Sequence, residues 1–514
     1  MRLLNRLLNL FAGAVFVVSL VAASGQTLAH KGWVGSGITV EPWWAGAVLY
    51  QIDPVSFQDS KGDGFGDLQG ITQRLDYVQS LGVDAIVLSP FQLQRDFGRN
   101  SRGPAFDPKY GTEEDLDHVI QEASRRKIRI FVDLPVTPDR STPELVNVAR
   151  FWLSRGIAGL RLTPGPRSTA MTPAQIVDRL RELRKLAATF AGQRVLFWDM
   201  AEPLPRLADG GVLAYRRPRR SAAPQMLDGP QMMIDSHLAS MSSFRVEQLR
   251  NALANAPGTS TASGSVSVPV SDGTDRRRSL DRFGDGAHTL EIAKVLATAL
   301  LTSRGAPLLY FGQEIGMATS GSGNGSQVAS VEPSPMQWGG DVEFTTGVPW
   351  MEMGSNSSTA NVAIEDADWA SLLNWYRRLS ALHHENAALR VGTMDVIAET
   401  NPDIVAWVRR PREPGSLTAP VVVVCNVTGR PLLVSVAADL RRVGVTTSSP
   451  MMHTLASTAL TVSSAGLGTG AKDAVSGPVS MNAISLPPYG IYIGELAHPP
   501  GLESAPSPLR RGAR

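Results

Sequence analysis

Eight short apolar runs alternate with helical segments from Trp43 to about Met317, and this alternation limits the fold more than any other feature. The runs are AVLYQI (47–52), AIVLS (85–89), IRIFVDL (128–134), GLRL (159–162), RVLFW (194–198), MMI (232–234), SVPV (267–270) and PLLYF (307–311). Between most of them lie segments such as DLQGITQRLDYVQSLG, EEDLDHVIQEASRRK, AQIVDRLRELRKLAATFAG and HTLEIAKVLATALLTSRG. The last two repeat apolar residues at i, i+3, i+4 and i+7, one face of a helix. Strands that alternate with helices pair in parallel, and eight such units close a barrel. After a further helix, WASLLNWYRRLSALHHEN, the pattern changes to DVIAET, DIVAWVRR, PVVVVCNV, LLVSVA and YGIYIGEL. These runs predict a small antiparallel β domain. The expected fold class is α/β, a (β/α)8 TIM barrel with a C-terminal antiparallel β-sandwich. The expected boundaries are 1–30 for an N-terminal export segment, 31–386 for the barrel, 387–497 for the β domain and 498–514 for a Pro-rich, basic, disordered tail. The uncharged stretch Thr454–Gly470 reads as a loop between strands.

The charge balance, 49 basic against 47 acidic residues, is too even for nucleic-acid binding. The single cysteine, Cys425, lies in an apolar run and excludes an intrachain disulfide. Arg2 and Arg6 precede an apolar run from Leu7 to Ala23, followed by small residues. That is the pattern of a secretory signal peptide, which makes the protein secreted or periplasmic. An uncleaved signal anchor is the alternative, because the run approaches the length that spans a bilayer. A membrane association is expected only in that case.

Several longer motifs carry a family likeness. AVLYQIDPVSFQDSKGDGFGDLQGITQRLDYVQSLGVDAIVLSPF resembles the opening of the α-amylase family of glycoside hydrolases, on its α-glucosidase branch. FDPKYGTEEDL, RFGDG, LLTSRGAPLLYFGQEIGM, SPMQW and FTTGVPW resemble it too, in the family's order. The likeness runs from about Trp43 to Leu496. It implies the barrel, the C-terminal β-sandwich and α-glucosidic substrates. It also implies a retaining reaction, with a carboxylate nucleophile and a carboxylic acid about 5–5.5 Å apart.

The resemblance assigns roles residue by residue, and the residues depart from them. The family's nucleophile position, at the end of the fourth strand, is Thr163; Arg161 two residues earlier is kept. A threonine forms no glycosyl ester without a base to activate it. The acid/base position falls on Asp199, one methylene shorter than the family's glutamate and preceded by Trp198, a residue expected to crowd the sugar site. Glu202 is a substitute acid just past the strand. The third acid aligns with Asp275, with Thr274 where the family has histidine and Asp272 nearby. Asp133 is kept on the third strand, but Thr137 and Pro138 replace the asparagine and histidine that follow it. Asn100 and Arg99 replace an aspartate and a tyrosine that grip the terminal sugar. Trp338 is a candidate for stacking on a sugar ring. The short span from Asp133 to Thr163 omits the family's inserted sub-domain, so a shallow, wet pocket is expected.

DSKGDGFGD resembles the family's cation loop. Asp59, Asp63 and Asp67 are oxygen donors at alternating positions suited to Ca2+ or Mg2+. Lys61 occupies a ligand position, and its ammonium is expected to stand in for the ion. No cofactor is required by this reading. Five departures, at positions 100, 138, 163, 199 and 274, favour a secreted α-amylase-like pseudoenzyme that binds an α-glucan, an oligosaccharide or a protein partner. Amino-acid-transporter heavy-chain ectodomains offer a parallel, and with an uncleaved anchor the chain would be a membrane scaffold. The alternative is an active α-glucosidase with relocated carboxylates: Asp199 or Glu202 with Asp275 or Asp272.

Overall fold

The computed structural model describes residues 41–90, 107–164, 171–200, 229–255, 265–274, 276–319, 333–339, 344–412, 418–459 and 477–497. Residues 1–30, where an export segment is expected, and Asn100, Glu202, Asp275 and the 498–514 tail lie outside the described residues.

All eight apolar runs are strands: β1 (Leu49–Ile52), β2 (Ala85–Leu88), β3 (Arg129–Val136), β4 (Gly159–Pro164), β5 (Val195–Trp198), β6 (Met232–Asp235), β7 (Val266–Pro269) and β8 (Leu308–Tyr310). They form one parallel sheet in the order β7-β6-β5-β4-β3-β2-β1-β8, a nearly closed barrel. Strand side chains alternate in direction. Leu49, Val87, Phe131, Val195, Phe197, Met232, Val268 and Leu308 pack together inside the barrel. Their strand neighbours Ile86, Val132, Leu160, Leu196 and Leu309 pack outward against the helices. Gly159 opens β4 because Phe131 needs the space; a Cβ there would lie 2.1 Å from the ring. Between β3 and β4 the described chain is a single crossover helix, Thr142–Ser154, with a Ser141/Glu144 capping box. Gly156 ends that crossover at φ +94°, a left-handed turn that glycine adopts without strain. The helical segment expected over 67–82 is two helices, Leu68–Gln73 and Leu75–Ser80, that meet at Arg74.

The C-terminal strands are β9 (Thr393–Ile397), β10 (Ile404–Arg410), β11 (Val421–Asn426), β12 (Leu432–Val434), β13 (Met451–Ser457), β14 (Val479–Ser480), β15 (Ile484–Leu486) and β16 (Ile491–Leu496). Six of them form an antiparallel sheet, β14-β13-β16-β11-β10-β9, and β12 and β15 form a ribbon. One face of the large sheet (Ile404, Ala406, Val408, Val422, Val424) shares a core with Val434, Ile484 and Leu486 of the ribbon. The other (Val405, Trp407, Val421, Val423, Cys425) joins the barrel core. Arg409 fastens the contact. Its buried guanidinium donates to the carbonyls of Thr302 and Ser303, at the C-terminal end of helix Thr289–Thr302 where a cation is favoured, and to that of Gly392, which ends helix Ala387–Val391. The loop expected from Thr454 begins later, because Met451–Ser457 pairs with β14 and β16.

Candidate functional site

On β1, β3, β4 and β5 the inward row turns polar toward the C-terminal end, the mouth where barrel enzymes carry their sites. β1 delivers Gln51, β3 Asp133, β4 Arg161 and Thr163, and Asp199 follows directly on β5. Arg161 sits level with Asp133 and Phe197 in the strand register. Its Nε donates to Asp133 Oδ1 and its Nη2 to Asp133 Oδ2, both at 2.6 Å, a bidentate fork buried at both ends. Arg161 Nη1 donates to Gln51 Oε1 at 2.8 Å and lies 3.7 Å from Asp199 Oδ2. Gln51 Nε2 in turn donates to Ser89 Oγ. Burial opposes the guanidinium's charge, but the Asp133 carboxylate and then Asp199 hold the Arg161 pKa above its ordinary value. The result is a dry ion pair under a wetter carboxylate, for the Asp199 side chain keeps 29% of its exposure.

This arrangement can orient a hydroxylated ligand against fixed charge and exchange a proton through Asp199. It cannot form a glycosyl ester at β4, where Thr163 stands half-buried opposite Pro135. Of the residues singled out in the sequence, Asp133, Arg161, Thr163 and Asp199 come together. Asp272 is spoken for by the helix Ser279–Phe283: Ser279 donates to it from backbone N–H and side-chain Oγ. Trp198 does not crowd the mouth. It is one residue out of phase with the inward row and packs among the outer helices. Trp338 is also corrected as a sugar platform. It is 2% exposed, its Nε1 donates to Phe57 O, Arg74 lies 4.3 Å over its ring, and Tyr77 meets it edge-on. No sugar face is left.

Two polar mouth residues escaped the sequence reading, Gln51 and Asp53. The signal was the alternation itself, because Leu49, Gln51 and Asp53 continue one inward row past the end of β1.

The DSKGDGFGD loop closes on its own donors. Asp59 Oδ1 accepts from the N–H groups of Lys61 and Gly62, and Oδ2 from Gly64 N–H and Thr345 Oγ1. Burial raises the Asp59 pKa, but these four donors more than offset it and leave it below the ordinary value. Asp67 caps Gly70 N–H and accepts from Ser60. Asp63 accepts from Phe65 N–H. Lys61 is not the ion's stand-in: its Nζ donates to Lys109 O, away from the three aspartates. With four donors, Asp59 has no lone pair left for a cation, and among the described residues no cluster of three or more metal-type side chains is found. The donor set does not fit Ca2+ or Mg2+. Calcium or EDTA is therefore expected to leave the melting temperature unchanged; a rise with calcium, the mark of a ligand bound by the native state, would contradict this.

A parallel barrel with its charged side chains gathered at the strand ends, followed by an antiparallel sheet, defines a (β/α)8 protein of the enzyme-bearing kind. Residues 51–137 and 229–392 match the family described as "Alpha amylase, catalytic domain". The barrel is a catalytic domain of the α-amylase family of glycoside hydrolases. A "Probable alpha-glucosidase" of Rhizobium meliloti is 26% identical over 482 residues, covering 71% of this chain and 87% of the relative. An "Oligo-1,6-glucosidase" of Bacillus cereus is 24% identical, covering 71% and 88%. The crystal structure of Bacillus licheniformis trehalose-6-phosphate hydrolase superimposes with a TM-score of 0.68 at 19% identity, over 89% of this chain and 100% of that one. At that identity the likeness speaks for the fold.

Proposed function

We propose that the barrel mouth hydrolyses α-glucosidic bonds of short oligosaccharides, with Asp199 as its ionised carboxylate. The observation that carries this reading is the dry Asp133–Arg161 fork held beneath Asp199. A buried ion pair adds little net stability, because desolvation cancels most of its attraction. A pair retained at the mouth, beside an accessible carboxylate, is therefore better explained by ligand handling than by folding. The names of the relatives supply the substrate class and favour hydrolysis over the inert scaffold that the departures in sequence suggested.

A second reading, a glucan-binding protein without turnover, draws on one observation: Thr163 leaves β4 without a carboxylate. Glucose release from maltose and isomaltose by the purified protein separates the two. Steady release supports hydrolysis. No release, together with calorimetric binding of maltooligosaccharides, supports the second reading. In either case we propose export, through the segment that reads as a signal peptide.

A further inference from the structure

One buried tyrosine of the barrel stands apart from the others. Tyr50 and Tyr77 donate their hydroxyl hydrogens to Glu314, both at 2.7 Å, and Tyr376 Oη accepts from Gln313 Nε2 at 2.8 Å. The hydroxyl of Tyr310 makes no hydrogen bond among the described residues, although the residue is only 3% exposed. A buried hydroxyl without a partner is costly, so this one calls for an explanation. Tyr310 ends β8, and the strand turns it inward. Leu308 packs inside the barrel and Leu309 outside it, so Tyr310 faces in again. It pairs with Gln51 of β1, whose Oε1 accepts from Arg161 Nη1. Burial raises the Tyr310 pKa, Asp53 and Asp272 add to it, and Arg278 and Arg161 only partly oppose it. The hydroxyl is therefore neutral, with a proton to donate and lone pairs to accept.

The ring that carries this hydroxyl is held firmly. Phe311 meets it edge-on with centroids 4.9 Å apart, and the Arg278 guanidinium lies 5.1 Å from its centroid. Arg278 is fixed in turn by its Nη1, which donates to Phe311 O at 2.9 Å. The backbone N–H of Tyr310 donates to Gln313 Oε1. We infer that Tyr310 is a sugar-binding residue of this mouth, whose hydroxyl takes its missing hydrogen bond from one hydroxyl of a glucosyl ring. The inference rests on the reading above that the mouth takes an α-glucosidic sugar, with or without turnover. The ring needs no reorganisation to bind, because its contacts already fix it. Tyr310 and Gln51 are neighbours across β8 and β1, so this hydroxyl and the Gln51 side chain that bonds Arg161 lie on one stretch of the wall. A neutral partner for a sugar hydroxyl thus stands beside the fixed charges of the Asp133–Arg161 fork.

Calorimetric titration of the wild-type chain and Tyr310→Phe with D-glucose, and with its monodeoxy analogues, tests the assignment. Phenylalanine keeps the ring and its contacts and removes only the hydroxyl. The variant should bind glucose about 3- to 10-fold more weakly, the size of one neutral hydrogen bond. Wild type should bind one monodeoxyglucose more weakly than glucose by a similar factor, and the variant should not distinguish that analogue from glucose, since the two changes remove the same bond. The melting temperature without sugar separates binding from folding. It should be unchanged or slightly higher in Tyr310→Phe, because no bond within the protein is lost and an unpaired buried hydroxyl is removed. A lower melting temperature would show that the hydroxyl is bonded within the fold and would overturn the assignment. Equal glucose affinities in the two proteins, or a variant that still discriminates against every analogue as wild type does, would overturn it too and leave the sugar reading of the mouth standing. No binding of glucose or maltose by the wild-type chain overturns both.

Discussion

Replacement of Arg161 by methionine is expected to destabilise the fold by about 3–5 kcal/mol, the cost of leaving a buried charge without its partner. Asp133 is buried in β3 and takes two strong hydrogen bonds from this guanidinium. Methionine fills similar space but supplies no donor, so Asp133 must either stay charged in a dry site or take up a proton. Gln51 Oε1 loses its donor as well. The double variant Arg161→Met/Asp133→Leu removes both charges and should recover much of the loss, because an apolar pair of similar volume often replaces a buried ion pair at little cost. Chemical denaturation reads the effect as a fall in the midpoint at constant slope. A single-variant loss below about 1 kcal/mol, the range of surface pairs, would show that the fork is hydrated and that the mouth is wetter than described.

Asp199→Asn is expected to act the other way, on turnover and hardly on the fold. Asparagine keeps the shape and leaves the backbone bond from residue 199 to Leu162 O untouched. It removes only the carboxylate charge. A loss of about 10²–10⁴ in kcat, with KM and melting temperature little changed, is the size of an acid–base contribution. A variant that melts lower but turns over normally would place Asp199 among the structural partners of Arg161 instead.

The barrel was legible because each strand is an apolar run bounded by turn residues, and because the helices between them carry the 3.6-residue period. What the runs do not announce is direction. Trp198 looked like a mouth residue by sequence position, yet Phe197 and Asp199 own the inward row and Trp198 belongs to the outer layer. Asp53 was passed over for the same reason: the row that contains it continues past the last strand residue. Trp338 illustrates a different limit, since an exposed stacking platform and a core tryptophan look alike in sequence. The aspartate loop misled through chemistry. The same alternation of carboxylates serves a cation or a set of backbone N–H groups, and only the fold shows that Thr345, far along the chain, completes the shell of Asp59. The strand Met451–Ser457 was hidden by its Thr- and Ser-rich continuation, which resembles a loop in composition. Thr163 stands at the end of β4 beside the Arg161 fork and leaves that strand without a carboxylate.

The central claim is that this mouth still cleaves α-glucosidic bonds without a carboxylate on β4. Its most direct test is the initial rate of glucose release from maltose by the purified wild-type chain, measured beside Asp199→Asn under identical conditions. Release well above the buffer rate, abolished in the variant, is the expected result. Release at the buffer rate by the wild-type chain, or an equal rate from both proteins, would contradict the claim.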